Sequence, residues 1–216
     1  MSRGRLITIE GLDGAGKSTL IEALRDALAA AGVEPVRCLR EPGGVPISER
    51  IRELVKDPGL AVSERAEALL YAAARAQLVA ELLSPLLAAG TWVLLDRFID
   101  SSLAYQGAGR ALGIADVRAI NHFAAGELVP DRTLLLRVDP LTGRRRQRDR
   151  AQEPDRLERE DEQFFGRVAG AYEELARSEP QRIRVIDAEQ AADGVLEQAL
   201  CAIEDLLTEP APVRSE

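Results

Sequence analysis

Near the start of the chain the apolar run Leu6-Ile7-Thr8-Ile9 leads directly into Gly11-Leu12-Asp13-Gly14-Ala15-Gly16-Lys17-Ser18-Thr19, and a stretch with helical periodicity follows. Few segments constrain a fold as tightly. The spacing fits G-x-x-x-x-G-K-[ST], a phosphate-binding loop when it sits between a strand and a helix. Its glycines let the backbone curl so that successive N–H groups point at phosphate oxygens, and the next helix adds the positive end of its dipole. Such a loop needs a strand with an open carboxyl end and a helix packed back on the same sheet, which means an α/β layer structure. Gly11, Leu12, Asp13, Gly14, Ala15, Gly16, Lys17, Ser18 and Thr19 are therefore the expected ATP-binding segment. Lys17 is expected to reach the β- and γ-phosphates, and Ser18 to ligate Mg2+.

The rest of the sequence agrees with that architecture. Short apolar runs at 5–9, 35–39, 92–96, 133–138 and 182–187 predict buried parallel strands. Between them, 19–32 places Leu20, Leu24 and Leu28 on one helical stripe that stops at Gly32. Further helices are predicted at 48–59, 63–90 (strained or broken near Pro85), 101–106, 115–126, 140–150, 159–178 and 192–207. Alternating strands and helices predict a five-stranded parallel sheet with helices on both faces. Ligands of such sheets bind beyond the strands' carboxyl ends, where 11–18, 40–44 and Asp96-Arg97 fall. The 216 residues suit one domain over 1–208, with a frayed tail at 209–216.

Composition removes several alternatives. A net charge of −8 argues against general binding to nucleic acid or membrane surfaces, while leaving room for a local basic site. The only lysines are Lys17 and Lys56, so arginine carries nearly all the positive charge. Cys38 and Cys201 match no metal or redox spacing, and the lone His122 has no partners for a zinc site or a triad. All three read as structural. No apolar run approaches the ~18 residues of a membrane span. Glu10 and the glycine loop stand where a signal peptide would have its apolar core. A cytoplasmic protein is expected. The only asparagine, Asn121, precedes His122, so the Asn-Lys-x-Asp base reader of guanine switches is missing.

Other segments suggest a second pocket. Arg40-Glu41-Pro42-Gly43-Gly44 follows the second strand. Tyr71 and Arg75, four residues apart, share one helix face. That spacing fits a base-reading pair, and equally an ordinary amphipathic helix with a snorkelling arginine. Asp96 and Arg97 end the third strand, with Ser102, Tyr105 and Gln106 on the next helical turn. A strand-end Asp can hold Mg2+ directly or through water, and an adjacent Arg can hold an acceptor phosphate.

Taken in order, EGLDGAGKST, REPGG, LLYAAARAQ and DRFIDSSLAYQGAGR resemble the thymidylate kinase family, and the resemblance continues through DRLERED and VIDAEQ. It implies a three-layer P-loop nucleoside monophosphate kinase fold, transfer of the ATP γ-phosphoryl to dTMP, Mg2+ as cofactor, and a homodimer. It also implies roles. Asp13 would contact the acceptor's 3′-hydroxyl or the phosphate–metal assembly, and Tyr71 would stack on thymine where the family usually has Phe. Arg75 would bond the thymine carbonyl, with Ser102 and Gln106 near the base edge. Arg97, helped indirectly by Arg40, would hold the monophosphate, and Tyr105 would crowd the ribose 2′ position. Asp96 joins Ser18 as the expected metal site. Phe98 and Val45 depart from the family's usual Tyr and Thr.

One branch of the family carries a basic residue in the phosphate loop; here that position is Gly14. The other branch supplies arginine from a mobile lid, and Arg144-Arg145-Arg146-Gln147-Arg148-Asp149-Arg150 fits that branch within a lid insertion of about 141–158. Arg148 or Arg150 is the expected catalytic arginine beside Lys17, Asp13 and Arg97, with Arg145 as the third choice. Arg156 is expected to stabilise the closed lid or touch the acceptor side. The competing readings are another small-molecule P-loop kinase and a nucleotide-dependent regulatory ATPase.

Overall fold

The computed structural model describes residues 3–148 and 153–208, leaving out the Arg148 side chain. Arg150 and the expected tail at 209–216 lie outside the described residues. In chain order the elements are β1 (Leu6–Gly11), α1 (Lys17–Ala30), β2 (Val36–Arg40), α2 (Pro46–Lys56), α3 (Glu64–Leu78), α4 (Ser84–Ala88), β3 (Trp92–Asp96) and α5 (Ile99–Ser102). They continue with α6 (Ile114–Ala125), β4 (Arg132–Arg137), α7 (Pro140–Arg148), α8 (Glu162–Ser178), β5 (Ile183–Asp187), α9 (Ala192–Cys201) and α10 (Glu204–Thr208).

All strand pairs are parallel, in the order β2-β3-β1-β4-β5. Side chains alternate across the sheet, and both faces are buried, as a parallel sheet requires. Ile7, Ile9, Leu94 and Leu134 join one core with Leu20, Leu24 and Leu28 of α1 and Phe164, Val168 and Leu175 of α8. Leu6, Val93 and Leu95 join the other, with Leu78, Leu83, Leu87 and Phe98.

Several expectations change. β2 is an edge strand, and Arg37 and Cys38 on it are exposed, so the run at 35–39 is not a buried strand. Cys201 and His122 are exposed as well. The strain near Pro85 does not break its helix: a π-helical turn, Val79–Leu83, links α3 to α4. Such wide turns absorb a residue that interrupts the helical ladder. A second π-helical stretch, Leu103–Gly109, extends α5 well past the predicted 101–106. The helix expected over 192–207 divides into α9 and α10 around Ile203, which is fully buried.

Candidate active site

β1 delivers its last residue, Gly11, to the carboxyl edge of the sheet, where φ is +135° and an added Cβ would stand 2.5 Å from the Leu136 carbonyl oxygen. α1 then begins at Lys17 behind Gly16, with no side-chain cap and no acid in its first turn. The first-turn N–H groups are thus left for an anion. Lys17 is buried and donates to the loop carbonyls of Gly11 (3.2 Å) and Leu12 (3.1 Å). Burial, reinforced by the charge of Arg97, pushes its ammonium down to about 8.

Gly14 explains the loop's lack of a basic side chain. Its φ is +82°, and an added Cβ would lie 2.2 Å from the carbonyl oxygen of Gly143 in α7. Conversely, a Cβ on Gly143 would lie 2.9 Å from the Asp13 carbonyl oxygen. The phosphate loop and α7 touch backbone to backbone, so any side chain at 14 would be strained and would have to displace α7.

The Arg97 guanidinium forms the junction of the site. Its backbone adopts φ 69°, the left-handed region that a non-glycine residue enters only under local constraint. Its NH2 group donates to Asp13 Oδ1 (2.8 Å) and Tyr105 Oη (3.2 Å), and its NH1 group to Ser101 Oγ (3.0 Å) and Tyr172 Oη (3.4 Å). It also lies 4.9 Å from the centre of the Tyr105 ring, a cation–π distance. Enclosure alone would raise the Asp13 carboxyl, but the charges of Arg97 and Lys17 overcome it and hold the group well below the usual carboxylate range. Behind Arg97, the buried Glu10 accepts from the Phe98 amide (2.8 Å), the Ser101 hydroxyl and the Tyr172 hydroxyl (3.0 Å). Burial, then the charge of Asp100, pushes Glu10 up to about 7.

Arg75 is almost fully buried. It donates to Glu41 (3.1 Å), Ser102 Oγ (3.0 Å), the Asn121 side chain and the Phe98 carbonyl (3.0 Å), and lies over the Phe98 ring. Four of its five N–H groups are used in this way, leaving one NH2 hydrogen. Phe98 therefore supplies a buried ring under Arg75 where the family's Tyr would bring a hydroxyl.

A single cleft is lined by Asp13, Gly14, Gly16, Lys17 and Ser18 on the loop side and by Arg40, Tyr71, Arg75, Arg97, Ser102, Tyr105 and Gln106 on the other. Asp96 lines it too, and its Oδ1 is buried with no hydrogen-bond partner. Leu12 and Ala15 are buried beneath the loop, and Thr19 is exposed beyond it. Arg40 sits at the rim and gives two N–H···O bonds to Glu49.

Several cleft residues escaped the sequence reading: Glu41, Arg52, Lys56 and Asp155 line the cleft, and Tyr172 supports Arg97. Of the arginines on α7, Arg145 is exposed, whereas Arg146 donates to the Ala188 carbonyl (3.0 Å). Arg146 also helps line a second, smaller cleft with Gly16, Thr19, Ala188 and Gln190. Helical phase would have had to be known to choose it over its neighbours.

Nearly the whole chain is similar to proteins of one family. The thymidylate kinase family profile matches residues 9–199. A thymidylate kinase of Enterococcus faecalis is 48% identical over 203 residues, 93% of this chain and 96% of the relative. One from Deinococcus radiodurans is 46% identical, covering 95% and 98%. The crystal structure of thymidylate kinase from Ehrlichia chaffeensis superposes with a TM-score of 0.76 at 27% identity, covering 94% of this chain and 99% of that one. Matched by the family profile over residues 9–199 and by relatives 46–48% identical over nearly its whole length, this chain belongs to the thymidylate kinase family.

Proposed function

We propose that the protein transfers the ATP γ-phosphoryl to dTMP, giving dTDP. One observation carries this reading: the phosphate loop and the Tyr71–Arg75–Gln106 wall face each other in one cleft, joined by Arg97 bonded to Asp13. The two reactants are anions, so the main task is to position them and neutralise the equatorial phosphoryl oxygens. The acceptor monophosphate is already largely ionised at neutral pH and needs no base. Asp13, held ionised, is a poor proton acceptor and instead orients Arg97, which receives the acceptor phosphate. Lys17 and the first-turn amides of α1 hold the donor phosphates.

On the acceptor side, Tyr71 stacks against thymine, Ser102 and Gln106 sit at the base edge, and the last free N–H of Arg75 meets a base carbonyl. Tyr105 fills the space a ribose 2′-hydroxyl would need. The smaller cleft beside Arg146 and Gln190 takes the donor base. Mg2+ fits Ser18, an exposed residue lining the cleft, and Asp96, whose buried Oδ1 lacks a partner. When bound, it would draw charge from the transferred phosphoryl oxygens.

Residues 141–158 act as the lid of a single domain over 1–208. The lid arginine comes from 148 or 150, with 145 as the third choice, and full turnover in all three single alanine variants would remove that assignment. The exposed apolar side chains Ile47 and Leu54 on α2, Leu69 on α3 and Phe123 on α6 suit a homodimer interface. No helix among the described residues is long and apolar enough to cross a membrane, and we place the protein in the cytoplasm. A coupled assay across dTMP, dUMP, dCMP, dAMP and thymidine tests the activity. Preferred turnover of dTMP is expected, and preference for thymidine or dAMP would favour a different kinase.

A further inference from the structure

Glu67 lies in the first turns of α3, one helical turn before Tyr71, and is completely buried. Its Oε1 accepts from Gln106 Nε2 (2.9 Å) and Arg110 Nε (3.3 Å). Its Oε2 accepts from Arg110 NH2 (3.1 Å) and lies 2.6 Å from Arg156 NH2. Arg110 is itself fixed, bonded to Glu160 and lying 4.9 Å from the centre of the Phe164 ring. Arg156 is fixed by its Nε bond to the Val55 carbonyl (3.0 Å). The carboxylate therefore cannot swing away from Gln106.

A carboxylate between two guanidinium groups only accepts hydrogen bonds. It can face the NH2 side of the Gln106 carboxamide but would repel the carbonyl side, so it decides an orientation that an amide could otherwise reverse. Gln106 is 2% exposed and lines the acceptor cleft. Among the described residues, none donates to its Oε1. The cleft thus presents a hydrogen-bond acceptor from Gln106, and Arg75, which lines the same cleft, keeps one unused donor. An acceptor and a donor lining one cleft match the imide edge of thymine or uracil, which carries N3–H and a carbonyl. It mismatches cytosine, whose N3 accepts and whose N4 donates.

The geometry points to Glu67 as the positioning residue that selects imide over amidine pyrimidines, by locking the Gln106 amide. This rests on the acceptor-site reading above. In Glu67→Gln, the two guanidinium groups draw the new carbonyl oxygen to the place of Oε2. The new NH2 then faces Gln106, which reverses and offers its own NH2 to the base. The weaker, uncharged contact with Arg156 would affect every substrate alike and so cancels in a ratio.

The experiment compares kcat/KM for dTMP, dUMP and dCMP in wild type and Glu67→Gln. The dTMP-to-dCMP ratio is expected to fall at least tenfold, while the dTMP-to-dUMP ratio stays within twofold because both bases present an imide. A smaller fall, or all three substrates declining together, overturns the proposal. Wild-type protein that makes no dTDP would overturn the underlying reading instead. Should the variant not fold, neutron diffraction from deuterated wild-type protein with dTMP decides. Amide deuterons of Gln106 directed at Glu67 support the lock, and a carbonyl oxygen in their place overturns it.

Discussion

The two sides of the cleft, which we propose hold the donor and the acceptor, are built differently. The donor side is backbone: a loop within nine residues, its shape set by glycines at positive φ and its charge supplied by N–H groups and one lysine. The acceptor side is made of buried charged and polar side chains that meet across long sequence separations, as in Arg75–Glu41 (34 residues), Arg110–Glu67 (43 residues) and Tyr172–Glu10 (162 residues). Phosphate looks much the same in every nucleotide, so a local backbone cradle can bind it. A base edge has to be told from close relatives, and that takes directional side chains held rigidly from behind.

If this contrast is right, removing a charged side chain on the acceptor side costs stability as well as activity, whereas removing the donor side's one lysine mainly costs rate, and the loop's stability rests on its glycines. Arg75→Ala is the largest test. It leaves Glu41 buried without its cation, and breaking one member of such a pair costs about 3–5 kcal/mol. Thermal unfolding should show Tm about 10 °C lower, together with a raised dTMP KM. An unchanged Tm would mean that the pair is not holding the wall together.

Lys17→Met should do the reverse. Loss of one preorganised cation is expected to lower kcat by about 10² to 10³ without lowering Tm, read by the coupled assay and a melting curve on one preparation. Gly14→Ala comes next. It strains a φ of +82° and drives a Cβ to 2.2 Å from the Gly143 carbonyl oxygen. Over-packing of this kind costs about 1–3 kcal/mol. Gly143→Ala, where the nearest approach is 2.9 Å, should cost less on the same melting curve. Equal losses would argue that α7 does not rest on the loop.

The smallest effect is in pH. Lys17 is pushed from 10.5 to about 8 by burial and then by Arg97. The kcat/KM for ATP, which reports the free enzyme, should therefore fall as pH rises through about 8. Stability should move the other way. Between about 8 and 10.5 the unfolded chain binds the Lys17 proton and the folded chain does not, so this group's contribution to stability rises with pH. Loss of the alkaline activity limb in Lys17→Met would assign it to this residue.

The same contrast governs what could be read from sequence. The loop, its flanking strand and helix, and the Asp96-Arg97 strand end are local patterns, and the structure places them as expected. The acceptor partners Glu41, Asn121, Glu67 and Tyr172 are single polar residues whose meaning comes only from what folds against them, and no spacing reveals that. β2 departs from expectation for a related reason. Its apolar residues look like those of an inner strand, but the strand order leaves it at the sheet edge. The π-helical stretch Leu103–Gly109 likewise has no mark in the periodicity, yet it carries Tyr105 and Gln106 into the cleft.

The central claim is that both anions are held at once across the Asp13–Arg97 junction, so that the phosphoryl group passes directly between them. Purified protein given γ-32P-labelled ATP, Mg2+ and dTMP measures this most directly. The account predicts that label accumulates in dTDP, and that free phosphate appears far more slowly when dTMP is left out. Label released as inorganic phosphate at the same rate with or without dTMP would contradict it.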